Sequence, residues 1–182
     1  MGTFKTGGDV VDGSVSTGAF SATYSFAAYP LGSRRMESAD EVVAAVHTDG
    51  STSLSLQGDR TWVFVQATVA LAPYECVVQN DVTTVNSRFL VRPNTTAGDN
   101  SLRIQGVAQH TIAITKYGWI VCEGQVAVKA ASGITVGQFI DTHNAVGTVD
   151  DSSVAGTLIG IALTATGAPA SGLISADIRL GQ

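Results

Sequence analysis

Histidine, serine and acidic residues are the side chains of this sequence that could carry out catalysis. The three histidines, His47, His110 and His143, lie far apart and show no ligand spacing such as H-x-x-x-H. A catalytic serine at a nucleophile elbow needs a G-x-S-x-G turn, and the sequence has none. The glycine-rich "GGDVVDG" near the start lacks the Gly-Lys-Ser/Thr ending of a phosphate-binding loop. We therefore expect no enzymatic activity and no cofactor.

One acidic loop could in principle hold a cation. "DTHN" and the following "DD" bring Asp141, His143, Asp150 and Asp151 close together in the chain. Carboxylate oxygens are ligands that Ca²⁺ accepts, but the regular D-x-D-x-D-G pattern of a calcium loop is missing. The segment is more typical of a solvated turn, so we predict no metal site.

The two cysteines, Cys76 and Cys122, match no metal-binding motif and are too few for a disulfide scaffold. Each lies within an apolar run, which is typical of small buried hydrophobic residues. The sequence leaves open whether the two thiols are neighbours in the fold.

The composition restricts the class of protein. Of 182 residues, 45% are hydrophobic and only 14% are charged, whereas a soluble domain usually has about 25% charged residues. Such a surface depends on uncharged polar residues or is covered by partners. The net charge of −5 and pI of about 4.9 argue against nucleic-acid binding, which needs a concentrated basic patch. With no signal-peptide core and no apolar run near 20 residues, we expect a cytoplasmic chain without a membrane partner.

Short alternating segments predict an all-β fold. In "TWVFVQATVAL", residues 61–71, Trp62 and Phe64 fall on one face while Val63 and Val65 fall on the other. Similar segments follow with Gly, Asn and Asp turns between them and without strand–helix alternation, which favours a β-sandwich or barrel. A capping box predicts one short helix near 38–48, although the valines of that stretch also suit a strand.

Part of the sequence is repeated. Gly106 and Gly160 lie in similar strands, "IQGVAQ" and "LIGIAL", and are 54 residues apart, as are Gly118 and Gly172. Upstream, "APYECVVQND" resembles "VGQFIDTHN" at a larger offset, which the loop at 94–101 absorbs. We interpret this as two copies of a three-strand unit, at about 70–124 and 133–181, whose apolar faces pair. A glycine inside each strand predicts a bulge or close backbone approach.

We divide the chain into three segments: an extended N-terminal arm at 1–35, a first β lobe at 36–124 and a second β lobe at 125–182. The arm is rich in small residues, and four of its aromatic residues are expected to need a surface to pack on: Phe20, Tyr24, Phe26 and Tyr29. An extended segment can add to a neighbour's sheet and place aromatic side chains in its grooves. We predict that these four residues form a capsid or subunit interface, and that deleting 1–35 leaves a folded protein.

From about residue 104 onwards the sequence resembles a known family. The order is "YGWIVCEG", "ASGITVGQFI", a polar loop, "GTLIGIAL" and a last strand, "LISADIRLG". This order is similar to that of the capsid decoration, or cement, proteins of tailed bacteriophages, which are compact β-proteins and often trimers. The chain departs from that family by about a hundred additional N-terminal residues. The resemblance carries no catalytic residues.

The resemblance implies a virion structural protein on the outer surface of the phage head, assembled in the host cytoplasm. Its partners would be the major capsid protein and further copies of itself in a homotrimer. In this setting "GTLIGIALTATGAP", residues 156–169, is expected to be a fully buried strand between two sheets or at a subunit seam. It carries no charge, because an unpaired buried charge is costly.

Two other functions remain open. A head fibre, tail or baseplate protein of the same particle would share the β-rich, low-charge composition. A carbohydrate-binding β-sandwich would use Trp62, Tyr117 and Trp119 to stack on sugar rings, and requires at least one exposed tryptophan.

Overall fold

The computed structural model describes residues 20, 22–37, 43–46, 53–56, 58–81, 88–95, 103–143, 145–151, 158–166 and 172–180. Every regular element in these ranges is a β-strand, which confirms the predicted all-β class. The twelve strands are β1 (Arg34–Glu37), β2 (Val43–Val46), β3 (Ser53–Leu56), β4 (Arg60–Ala67), β5 (Cys76–Gln79), β6 (Leu90–Pro93), β7 (Ile104–Val107), β8 (Tyr117–Ala130), β9 (Phe139–Thr142), β10 (Val149–Asp151), β11 (Gly160–Ala162) and β12 (Gly172–Arg179).

Nine of these strands form two closed five-stranded barrels that share the long strand β8, and β1 pairs with β4 beside the first barrel. The first barrel runs in the order β4, β6, β5, β7 and β8, and closes because β8 also pairs with β4. The second runs β8, β10, β9, β11 and β12, and closes because β12 pairs with β8. We call them the first lobe, which contains Tyr117–Glu123 of β8, and the second lobe, which contains Gly124–Ala130.

The two lobes have the same topology. In each, the first and third strands along the chain are parallel, β4 with β6 and β8 with β10, and the other pairs are antiparallel. The repeated unit therefore contains five strands instead of the predicted three, with β8 serving as the last strand of one copy and the first of the next.

The strand register shows which residues correspond between the lobes. Val77 pairs with Gly106 in the first lobe as Ile140 pairs with Gly160 in the second, so these two glycines are equivalent, as the sequence indicated. The predicted match of Gly118 with Gly172 is wrong. Gly118 pairs with Val65 inside β4, whereas Gly172 pairs with the last residue of β8.

The equivalent glycines are places where strands approach closely. A Cβ atom on Gly106 would collide with the carbonyl oxygen of Val121, and one on Gly160 with that of Asp177. Both obstacles are backbone atoms of the neighbouring strand, which cannot move without opening the barrel. The predicted close approach is thus confirmed in both lobes.

We expect Gly106→Ala and Gly160→Ala each to lower the free energy of unfolding by about 3 kcal/mol, because a methyl group is forced against backbone. Gly172→Ala is the matched control, since its Cβ would meet only Thr166 Cγ2 at 3.9 Å. Urea unfolding of the three variants measures the difference. A Gly172→Ala loss as large as the other two would mean that strand glycines matter here for another reason.

Two sequence predictions need correction. Residues Val43–Val46 form strand β2, antiparallel to β3, so no helix extends over 38–48. The stretch 156–169 is also not fully buried: Ile159 and Ala162 are enclosed, but Leu158, Ile161 and Leu163 are each about 40% exposed. The alternative of a subunit seam stays open for this strand.

Each lobe is covered on its outer face by a different part of the chain. Phe20 and residues 22–35 lie over the aromatic side chains of the first lobe. The β2–β3 hairpin lies over the second, where Leu56 forms a small separate core with Ala127 and Leu173. The two copies have the same topology but carry different outer residues, because different segments cover them.

Candidate interaction surfaces

The N-terminal aromatic residues pack mainly on this chain's own first lobe. Phe20 is buried and stacks on Trp62 with ring centroids 4.8 Å apart. Tyr29 packs on Phe64 and Trp119 at centroid distances of 5.2 Å each. The surface that the sequence required for these side chains is therefore supplied within the chain.

Backbone hydrogen bonds fix the same segment to β8. The Tyr24 amide donates to the Tyr117 carbonyl at 2.9 Å, and the Tyr117 amide returns the bond at 3.0 Å. Tyr24 is partly buried, and Phe26 is 69% exposed. Of the four residues predicted at a capsid or subunit interface, only Phe26 presents most of its ring to a partner in this conformation. The interface role of the four stays a prediction.

A buried ion pair joins β1 to β4 beside this cluster. Arg60 Nη2 lies 2.7 Å from Glu37 Oε2, and both side chains are under 5% exposed. The same carboxylate oxygen accepts a hydrogen bond from Trp62 Nε1 at 2.9 Å. One carboxylate thus anchors a cation and an indole at the edge where the N-terminal segment joins the barrel.

The acidic loop holds one ion pair instead of a metal cluster. His143 Nε2 lies 3.3 Å from Asp150 Oδ2, while Asp141 accepts a hydrogen bond from the Thr142 amide. Burial raises the pKa of Asp150 above its ordinary value, and the nearby His143 opposes that rise. Among the described residues, no three His, Cys, Asp or Glu side chains come together as metal ligands.

His110 is a partly buried histidine that the sequence did not single out from the other two. Its ring nitrogens are buried and have no hydrogen-bond partner among the described residues, and Nε2 lies close to Gly118. Burial lowers the pKa of His110 from 6.5 to about 4. The fold therefore holds the neutral ring and penalises its protonation.

This burial predicts a loss of stability in weak acid. The unfolded chain takes up a proton near pH 6.5 while the folded chain resists until about pH 4, so stability falls across that window. The full loss is about 3 kcal/mol. We expect His110→Leu to remove this part of the pH dependence, measured as the free energy of unfolding at pH 8 and at pH 4.5. An equal drop in both proteins would show that carboxylates alone cause the acid sensitivity.

The cysteines are buried, as predicted, and are not joined in a disulfide. Both lie in the main core, Cys76 in β5 and Cys122 in β8. Burial raises the pKa of the Cys122 thiol to about 11. A thiol of that kind is a poor nucleophile at neutral pH, which fits a packing role.

The structure buries both tryptophans that the carbohydrate-binding hypothesis requires for stacking on sugar rings. Trp62 is 4% exposed and Trp119 is 1% exposed, and only Tyr117 of the three proposed residues is partly open. A sugar ring needs an accessible aromatic face, so these tryptophans cannot form the proposed platform.

The second lobe presents an apolar face that sequence reasoning missed. Phe139 of β9 lies directly opposite Ile161 of β11, and the two side chains are 53% and 39% exposed. A groove of about 340 Å³ runs beside them and is bordered by Asp177 and Arg179. We call this the open face. Phe139, Leu158 and Ile161 line the groove, and the exposed Val136 and Leu163 adjoin it where the Gly137 amide donates to the Ala162 carbonyl. In the stretch 156–169, the residues on both faces of the strand are apolar. The hydrophobic pattern of the sequence therefore could not distinguish a buried strand from an exposed one.

The open face concentrates exposed hydrophobic surface. Half of the large hydrophobic side chains exposed among the described residues belong to it, whereas the others are distributed over the rest of the molecule. A cluster of this kind on a protein surface marks an interaction site more often than scattered exposed residues do.

No segment of the described chain forms a helix that could span a lipid bilayer.

No protein-family model and no curated protein matches this sequence. Among solved structures, the chain is similar to the head fiber gp8.5 N base of bacteriophage phi29, at 16% sequence identity and a TM-score of 0.48. The similarity covers 66% of this chain and 95% of that one. A likeness of this size carries no argument about what this chain does.

Proposed function

We propose that this chain is a structural protein of a tailed-phage particle that decorates the outer surface of the head. In this role its partners are the major capsid protein and two further copies of itself. It has no catalytic activity and contacts neither nucleic acid nor membrane. The resemblance of residues 104–182 to capsid decoration proteins suggests this function, and the open face supports it, because a lattice-bound protein has neighbours to cover such a surface.

The composition fits this role in two respects. Only 14% of the residues are charged, which suits a surface that is partly covered after assembly. The net charge of −5 suits a position on the outside of the shell, away from packaged DNA.

The closed barrels also suit a protein that is present at high local concentration. Because both barrels are closed, their strands present few free edges for non-specific pairing with other chains.

The mechanism is stabilisation by binding. A protein that binds the expanded shell and not its dissociated subunits shifts the equilibrium towards the shell. At a free concentration of 100 times Kd, this contributes about 2.7 kcal/mol for each site. The contribution repeats at every lattice position and opposes the pressure of packaged DNA.

Quantitative mass spectrometry of purified particles tests the proposal by counting this chain against the major capsid protein. We expect a copy number comparable to that of the capsid protein. A handful of copies per particle would instead assign the chain to a head fibre, tail or baseplate. Absence from particles would overturn the structural role.

A further inference from the structure

Three arginines lie together on the first lobe, at the ends of three different strands. Arg34 begins β1, Arg88 lies two residues before β6, and Arg103 immediately precedes β7. Arg34 is exposed, and the other two are partly exposed. We call these three residues the arginine patch. They are three of the ten lysines and arginines of a chain whose net charge is −5, so positive charge is concentrated here.

Backbone pairing brings the first two of these strand ends together. Strand β8 occupies one edge of β4, so β1 and β6 share the other edge, one after the other. The segments that lead into β1 and β6 are in contact, because the Phe89 ring lies against Gly32 and would collide with a Cβ atom there. Arg34 and Arg88 are each within two residues of this contact in the chain.

Strand β5 links the third arginine to the same region. Gln79, at the end of β5, pairs with Val91 of β6, and its amide donates to the Arg103 carbonyl at 2.8 Å. Burial lowers the pKa of the Arg103 guanidinium, and the positive charges of Arg88 and Arg34 lower it further. The three cations therefore repel one another in the isolated chain.

The donor groups of the patch are not used up within the fold. No member of the patch forms an ion pair with a described residue. Arg88 is supported by an aromatic ring, with its Cζ 5.3 Å from the centre of the Phe89 ring. Its Nε is buried and has no hydrogen-bond partner among the described residues. The patch thus presents positioned cations without a counter-ion, which is what an anion site requires.

The chemistry of the patch and the charge around it indicate the class of anion. A guanidinium offers two parallel N–H donors, which match the two oxygens of a carboxylate or a phosphate. Without these three positive charges the net charge of −5 becomes −8. Such a surface repels a long polyanion such as nucleic acid, which extends beyond the patch. A short segment with a few carboxylates contacts the patch alone and avoids this repulsion.

We propose that the arginine patch binds an acidic segment of another protein, whose carboxylates accept hydrogen bonds from the three guanidinium groups. Binding relieves the repulsion among the three cations, since each gains an opposite charge. The patch lies on the first lobe, whereas the open face lies on the second, so the two surfaces are separate. This inference goes beyond the proposed function and does not depend on the phage role.

Fluorescence anisotropy with a short fluorescein-labelled poly-glutamate peptide tests the proposal on the full-length chain. We expect saturable binding that weakens as the NaCl concentration rises, and no binding of a glycine–serine peptide of the same length. Arg34→Gln and Arg88→Gln should each weaken binding by about 10-fold, because each removes a charge-assisted hydrogen bond. Circular dichroism establishes that the variants fold.

The matched control is Arg179→Gln, which removes the same charge from the second lobe. The Arg179 side chain is 85% exposed, so its loss should change peptide binding by less than about 2-fold. An equal loss of binding for Arg88→Gln and Arg179→Gln would show a general charge effect and overturn the assignment of the site.

Two further outcomes would overturn the inference. One is the absence of peptide binding up to about 1 mM protein at low salt. The other is tighter binding of a DNA oligonucleotide than of the peptide, with the same dependence on Arg34 and Arg88, because the patch would then be a site for phosphates. These measurements need no particles, so they can fail or succeed independently of the copy-number experiment.

Discussion

Deletion of residues 1–35 is expected to unfold the first lobe, in contrast to the folded product that the sequence predicted. The deleted segment supplies Phe20, Tyr24 and Tyr29, which pack against Phe64 and the two tryptophans of the barrel. It also supplies two backbone hydrogen bonds to Phe64: the Gly32 amide donates to the Phe64 carbonyl, and the Phe64 amide donates to the Ser33 carbonyl. Without this segment, the aromatic outer face of the first lobe would be open to water.

The expected effect is as large as the stability of an ordinary domain. Burying one large hydrophobic side chain stabilises a fold by about 1.5–3 kcal/mol, so three of them contribute up to about 4.5–9 kcal/mol. Domains are stable by about 5–15 kcal/mol in total. The deletion therefore removes most or all of the margin, and we expect aggregation or a strongly lowered melting temperature.

Thermal unfolding of two truncations measures this effect. The matched control lacks only residues 1–19 and keeps every aromatic residue named above, so its melting temperature should stay near that of the full chain. If the chain lacking 1–35 melts like the control, the N-terminal segment is a separable arm and its packing contributes little.

Arg60→Met is expected to lower the free energy of unfolding by about 3–5 kcal/mol, because it strands the buried carboxylate of Glu37 without its cation. Of the two partners of Glu37 Oε2 described above, Arg60 and Trp62, only the Trp62 indole would remain. The methionine keeps the length of the arginine side chain, so lost packing is a small part of the effect. Urea unfolding at pH 7 measures the loss.

Two further variants separate charge from packing. Arg179→Met removes the cation of a pair with Asp177, but Arg179 is 85% exposed, so the expected loss is below about 1 kcal/mol. The double variant Glu37→Leu with Arg60→Met removes both buried charges and should be more stable than Arg60→Met alone. Equal losses for the single and double variants would show that the stranded carboxylate of Glu37 is not the cause of the lost stability.

The sequence by itself determined the fold class and the existence of the repeat. Alternating segments such as 61–71 specify strands because successive side chains point to opposite faces, a local property that needs no partner. The equivalence of Gly106 with Gly160 was also readable, because a glycine inside an apolar strand indicates a close approach. The burial of Cys76 and Cys122 followed from their apolar surroundings.

The sequence could not show how the two copies of the repeated unit are joined within the chain. Strand β8 belongs to both lobes, and sharing one strand between two barrels is a property of long-range pairing that leaves no local pattern. For the same reason the Gly118–Gly172 match was wrong: equal spacing in the chain is not equal register in the sheet. The valines at 43–46 suited a helix or a strand, and pairing with β3 decided for the strand.

Only the tertiary structure decided which apolar surfaces are covered. Phe20, Tyr29 and Ile161 are all hydrophobic residues near small and polar ones, and nothing in their neighbourhoods tells them apart. The first two are covered by the barrel beneath them, whereas Ile161 is 39% exposed. Burial depends on residues distant in the chain, and for that reason the interaction surface emerged from the fold and not from the sequence.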